Sequence, residues 1–197
     1  MFKGKKKYTV RTSGDPVLTQ EAAPILTITP ETVELAKQMV ETMYLFDGIG
    51  LAAPQIGLSQ QLVVIDVPAP EDKDVVLSPG EELLLHQMPL ALVNPRIVST
   101  AGKMVSREEG CLSVPGIYAE VVRPERVVVH FTSLANQEIE IECDHLLARC
   151  LQHEIDHLHG VVFTDRLSPA EAARIDGELT KLRADGKRVN YIRVKKK

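Results

Sequence analysis

His153-Glu154-Ile155-Asp156-His157 is a stretch whose residue types and spacing could do metal chemistry. On a helix, residues four apart lie one above the other, so His153 and His157 can present two imidazoles to one ion. Glu154 borders the same face and can reach a water on that ion, where a carboxylate serves as general base. The pattern alone is short, and metal-free surface helices also carry it. Its setting sharpens it. Leu146, Cys150, His153 and His157 fall at i, i+4, i+7 and i+11, a stripe that faces inward. Buried imidazoles beside a glutamate need a partner, and a metal ion supplies one.

Two histidines do not complete a catalytic site, so the third ligand matters. A metzincin would place a histidine ten residues after the first, where this chain has Phe163. A gluzincin would use a carboxylate some way beyond the second histidine, for which Asp176 and Glu178 are candidates. Upstream, Glu108-Glu109-Gly110-Cys111-Leu112-Ser113 offers a cysteine beside glycine. Cys111 with His153 and His157 would make a Cys/His/His set with a fourth position open for water.

These residues need elements to hold them. Asp144 can cap a helix over residues 145–159, which Gly160 would stop. Thr29-Pro30 starts an earlier helix that should end near Asp47-Gly48. Ser168-Pro169-Ala170-Glu171 is a capping box opening a last helix to about residue 185. Residues 61–66 read as a buried strand. Further strands are expected at 90–99, 103–107, 117–122, 126–132 and 137–143, and residues 68–82, with three prolines and five acids, as an exposed loop. Strands before and between helices predict an α+β fold.

The chain has 197 residues, 44% hydrophobic and 25% charged, values of an ordinary single globular domain rather than a disordered or fibrous chain. Three cysteines cannot build a disulfide framework. The basic start has no apolar segment behind it, so it does not read as a secretory signal, and no apolar run is long enough to span a bilayer. The expected location is a reducing compartment, the cytoplasm. The net charge of −4 conceals basic ends: residues 1–11 and 181–197 together carry +12 and the body −16. Such ends can touch an RNA-rich partner, although charge alone favours solvated tails.

Three separated motifs carry a resemblance. Gly48-Ile-Gly-Leu-Ala-Ala-Pro-Gln-Ile-Gly57, Glu109-Gly-Cys-Leu-Ser113 and His153-Glu-Ile-Asp-His-Leu-His-Gly160 occur in the order and near the spacing of the peptide deformylases, and the sequence resembles that family over roughly residues 8–170. The resemblance implies one domain over 1–197: a catalytic core of about 8–170, and a C-terminal helix with basic tail over about 168–197. It implies antiparallel sheets packed around a central helix bearing the H-E-x-x-H motif, flanked by N-terminal and C-terminal helices.

The implied activity removes the N-formyl group from the initiator methionine of nascent chains and releases formate. Cys111, His153 and His157 would hold one divalent metal, natively Fe2+, with Zn2+, Ni2+ or Co2+ as substitutes. A metal-bound water would attack, with Glu154 as general base and then acid. By resemblance, the Gln55 side-chain amide and the Leu112 N–H stabilise the oxyanion. The substrate would pair as an extended strand with main chain near Ile49, Gly50 and Gly110, whose glycines would permit close approach. Ile49, Leu146, Cys150 and His153 would surround the methionine side chain.

Arg107 and Arg149 stand where several relatives carry apolar residues near that pocket, and Tyr118 where many carry arginine. Asp156 is expected to pair with Arg123, either behind the site or at the surface. Cys143 reads as structural, and His86, His130, His145 and His159 as surface or satisfied residues. The implied partners are formyl-methionyl nascent peptides and the ribosome, through the C-terminal segment. Neither a membrane nor sequence-specific nucleic-acid binding is expected. Competing readings are a gluzincin-type peptidase, a structural metal module recruiting Cys143 or His145, and a non-catalytic ribosome-binding protein.

Overall fold

The computed structural model describes residues 8–72 and 74–185. The charged stretch 1–7 and the tail from 186 lie outside the described residues, so most of the basic ends does too.

Helix α1 spans Pro30–Leu45 and starts as the sequence requires: Thr29 caps it, exchanging hydrogen bonds with Thr32, and Pro30 occupies the first turn. Strands β1 (Gly50–Ala52) and β2 (Leu62–Ile65) follow. Helix α2 (Pro79–Leu84) corrects the expectation of an unbroken loop over 68–82. Ser78 caps it and Glu81 returns the bond to the Ser78 N–H, so Ser78-Pro79-Gly80-Glu81 was a legible start signal. Strands β3 (Leu90–Cys111) and β4 (Val114–Thr132) each replace two expected strands. Gly102 does not end a strand; it sits at φ +76° inside a register shift between Ala101 and Met104. Such a bulge bends a strand without breaking it. Strand β5 is Glu138–Cys143, α3 is His145–Leu158 and α4 is Pro169–Asp185.

The antiparallel sheets expected from the sequence form one continuous sheet in the order β1-β2-β3-β4-β5. β2 is buried on both faces. Val63 and Ile65 join Leu92, Val129, Phe131, Leu151 and Ile155 in the core against α3. Leu62 and Val64 join Met39, Met43 and Leu51 against α1. A third cluster seats Ile175 and Leu179 of α4 on Val114, Ile117 and Val121 of β4. The α3 helix is therefore central. It is buried all round from Leu147 to Leu158, rather than along a single stripe, because sheet strands and the turn at residues 53–56 press on it from several sides. Among the described residues no helix is long and apolar enough to cross a membrane.

Candidate metal centre and substrate cleft

Asp144 accepts the His145 N–H at the start of α3, and Gly160, at φ +70°, follows its last turn. Between these stops the helix turns His153 and His157 towards the tip of the β3–β4 hairpin, where Cys111 is the last residue of β3. Ligand atoms of Cys111, His153 and His157 lie within 4.8 Å of one another. Cys111 Sγ stands 3.2 Å from His157 Nε2. His153 Nδ1 is taken by Glu109 at 2.9 Å, which leaves Nε2 to face Cys111 and the metal position. One thiolate and two imidazoles at these separations suit a four-coordinate transition-metal ion with one position left for a small ligand.

The surroundings favour the thiolate of Cys111. Burial alone would raise the Cys111 thiol, but the charge of His157 and hydrogen bonds with His153 and His157 outweigh it and hold the thiol well below its usual value. Cys150 goes the other way. Burial, with Glu154 and Glu109 nearby, pushes it well above the usual value, so it is a neutral thiol beside the site. Glu154 is pushed up to about 7, first by burial, against the opposing charges of His153 and His157. Its Oε2 is buried without a hydrogen-bond partner, a group prepared for something that arrives from the cleft.

The Gln55 side chain is aimed by its own turn: Oε1 accepts the Ala52 N–H at 2.7 Å, while Nε2 lies 3.3 Å from both Cys111 Sγ and Ser113 Oγ. Leu112 occupies the tight turn between β3 and β4. Together with Ile49, Gly50, Gly110, Leu146, Cys150, His153 and Glu154 these residues line one cleft. The glycines have an additional reason to be there. A Cβ on Gly50 would lie 2.8 Å from the Glu154 carboxyl carbon, and one on Gly110 would lie 2.5 Å from the Tyr118 ring. The Ile49 carbonyl accepts the Asp66 N–H at 2.8 Å, which fixes the strand entering the cleft.

Behind His153 lies a network that the motifs did not spell out. Glu109 Oε1 accepts from Arg123 Nε at 2.6 Å and from Arg149 at 2.7 Å. Its Oε2 accepts from Arg123 at 2.9 Å and from His153. Burial raises the Glu109 carboxyl, but His153 and Arg123 overcome it and hold the group at about 2. Arg123 also bonds Asp156 at 2.8 Å, and Arg166 closes on Asp156 from outside, so the expected Arg123–Asp156 pair is a buried one behind the ligand helix. A usable signal existed: Glu109 and Cys111 are two apart on a strand and so share a face.

Residues 7–173 match the family model described as polypeptide deformylase. The chain belongs to this family. It is 45% identical over 163 residues to peptide deformylase 2 of Gloeobacter violaceus, covering 83% of this chain and 80% of that protein. Among solved structures, the peptide deformylase of Synechococcus elongatus in complex with actinonin superposes with a TM-score of 0.75 at 38% identity, over 95% of this chain and 96% of that one. That of Ehrlichia chaffeensis gives 0.79 at 34% identity, over 92% and 98%. Deformylase-family membership makes the protein an enzyme of the metal-dependent hydrolase type, and among the described residues Cys111, His153 and His157 form a group that could hold a metal. The alternatives lose their ligands. Asp176 and Glu178 are exposed on α4, and neither Cys143 nor His145 joins the cluster. His145 instead pairs with Glu81, His130 with Glu138, and His159 with Glu21.

Proposed function

We propose that this protein removes the formyl group from formyl-methionyl nascent peptides, releasing formate, with the residues of the cleft in the following roles. The observation that carries the reading is the placement of Glu154, with one buried and unpartnered oxygen, beside the Cys111/His153/His157 cluster at the floor of a cleft bordered by Gly50 and Gly110. When bound, a divalent ion supplies a Lewis acid and acidifies water towards neutral pH. Glu154, with a carboxyl near 7, accepts a proton from the attacking water and returns it to the leaving amine. Gln55 Nε2, pinned from its other end by the Ala52 N–H, donates to the formyl oxygen as negative charge grows there, and the Leu112 N–H donates from the hairpin turn. Glu109 fixes the ring of His153 through Nδ1. The peptide lies extended along Ile49–Gly50 and Gly110, with its first side chain against Leu146 and Cys150.

The donor set accepts iron, zinc, nickel or cobalt. Ferrous iron is the proposed native ion, on the strength of the family resemblance. The same resemblance supports a cytoplasmic site of action on chains leaving the ribosome, with the C-terminal segment as the contact.

The test is formate release from formyl-Met-Ala-Ser by enzyme prepared without oxygen and loaded separately with iron, nickel or zinc. Turnover with iron or nickel should fall by about 10² to 10⁴ in Glu154→Gln while the metal stays bound. A full equivalent of metal with no turnover in any form would refute the reading.

A further inference from the structure

The two turns that carry the proposed oxyanion donors are tied together by a short run near the start of the chain. Arg11 donates its N–H to the Gln55 carbonyl at 2.7 Å, and Ser13 donates its N–H to the Ser113 carbonyl, also at 2.7 Å. In an extended segment, residues two apart present their N–H groups to the same side. One run, with Thr12 buried at its centre, thus grips the turn at residues 53–56 with one residue and the β3–β4 turn with the next but one. Across the same gap Gln55 Nε2 lies 3.3 Å from Ser113 Oγ.

The grip is backed at both ends. Gly57 ends the Gln55 turn at φ +82°, and a Cβ there would stand 2.7 Å from the Arg11 guanidinium, which is itself paired with Asp15. The Arg11 side chain therefore closes over the turn whose carbonyl its N–H holds. At the other end Arg183 of α4 donates to Ser13 Oγ at 3.3 Å, and a Cβ on Gly14 would stand 2.9 Å from the Arg183 carbonyl oxygen. With α4 behind it, the run cannot draw away from the turns. Neither Arg11 nor Ser13 lines the cleft, so any influence on the reaction passes through the turns.

We infer that residues 11–13 are a positioning strap, whose two main-chain bonds set the spacing between the Gln55 Nε2 and Leu112 N–H donors. This inference rests on the proposed reaction, in which those donors meet one oxyanion. Both must reach that oxygen together, and an error of about 1 Å costs about 10²-fold in rate. A loosened strap therefore lowers kcat and kcat/KM alike and leaves KM nearly unchanged.

The experiment removes one N–H at a time from the full chain. Lactic acid installed at position 11 or 13 by nonsense suppression puts an ester oxygen where Arg11→Ala or Ser13→Ala keeps the N–H, so each ester is read against its alanine partner. With nickel-loaded enzyme and formyl-Met-Ala-Ser, kcat should fall at least tenfold below that partner, with KM within about threefold. In a Gln55→Ala background the ester at 11 should cost less than about twofold more, because the donor it places has gone, while the ester at 13 keeps its cost through Leu112. A strap that only stabilised the fold would lower the unfolding midpoint and leave kcat unmoved. Either position serves if the ester at the other does not fold. A kcat within twofold of the alanine partner in folded protein, or an ester at 11 that costs the same with and without Gln55, would overturn the strap. Nuclear magnetic resonance of the zinc-loaded chains follows the Gln55 side-chain amide and the Leu112 N–H without turnover. No turnover by the wild type alongside shifted signals in the esters would sink the reaction and keep the strap. Turnover with signals that match the alanine partners would do the reverse.

Discussion

Glu109→Gln is the substitution that most directly tests the network behind the metal ligands. Both oxygens of Glu109 accept two donors each: Arg123 and Arg149 on one, Arg123 and His153 on the other. Glutamine keeps the shape but replaces one oxygen with a donor, so whichever way it turns, an N–H faces an arginine N–H. Two buried arginines also lose part of their countercharge, although Arg123 keeps Asp156. Removing one partner of a buried pair costs about 3–5 kcal/mol. The gap between Glu109 at about 2 and its ordinary 4.5 gives a similar order of magnitude, about 3 kcal/mol. The sign follows from the depressed folded-state value: this stability is fully present above about pH 4.5 and is lost as pH falls towards 2. Urea unfolding of the metal-free chain should therefore show a loss of about 3 kcal/mol at pH 7, and in the variant a flatter decline between pH 4.5 and 2. Zinc affinity, read by competition with a chelating dye, should weaken about 10- to 100-fold because His153 loses its orienting partner. A variant that unfolds and binds zinc like the wild type would show that the network holds nothing in place.

Gly50→Ala should lower turnover by at least tenfold while a full equivalent of zinc still binds, because its methyl group displaces Glu154 and not the ligands; unchanged kcat would refute this. Gly177 lies inside α4 with nothing within 4 Å of where a Cβ would stand, so Gly177→Ala should raise stability by about 0.5–1 kcal/mol in denaturant titration. If the native ion is ferrous iron beside the Cys111 thiolate, activity should decay in air and be slowed by zinc or nickel substitution; full activity after aerobic purification argues against iron.

Much of this was legible because helix starts are local chemistry. Thr29-Pro30, Asp144 and Ser168 each announced a helix, and the caps lie within a few residues of the groups they satisfy. Glu171 shows the limit of that logic. Ser168 accepts its N–H as expected, but its carboxylate turns outward to the Glu120 N–H and Arg174. β1 was missed because three residues carry too little pattern, and β3 and β4 were split because Gly102 and Pro124 look like turns when the partner strand is unseen. The three ligands were legible through motifs. Of their support only the Arg123–Asp156 pair was; Glu109 and Arg149 join it from β3 and α3, and only the folded hairpin brings all four together.

Strand order follows chain order, so the β3–β4 hairpin can pair from neighbouring sequence alone, and Cys111 sits at its tip. His157 lies 46 residues further on. On a chain growing at about 5–20 residues per second, that interval lasts about 2–9 s. During it nothing holds the Cys111 thiol below its ordinary value near 9, since the histidines that do so have not yet been made. The newborn hairpin therefore displays a sluggish, weakly ligating sulfur. Capture of the metal becomes a late event in biosynthesis, timed by the arrival of α3.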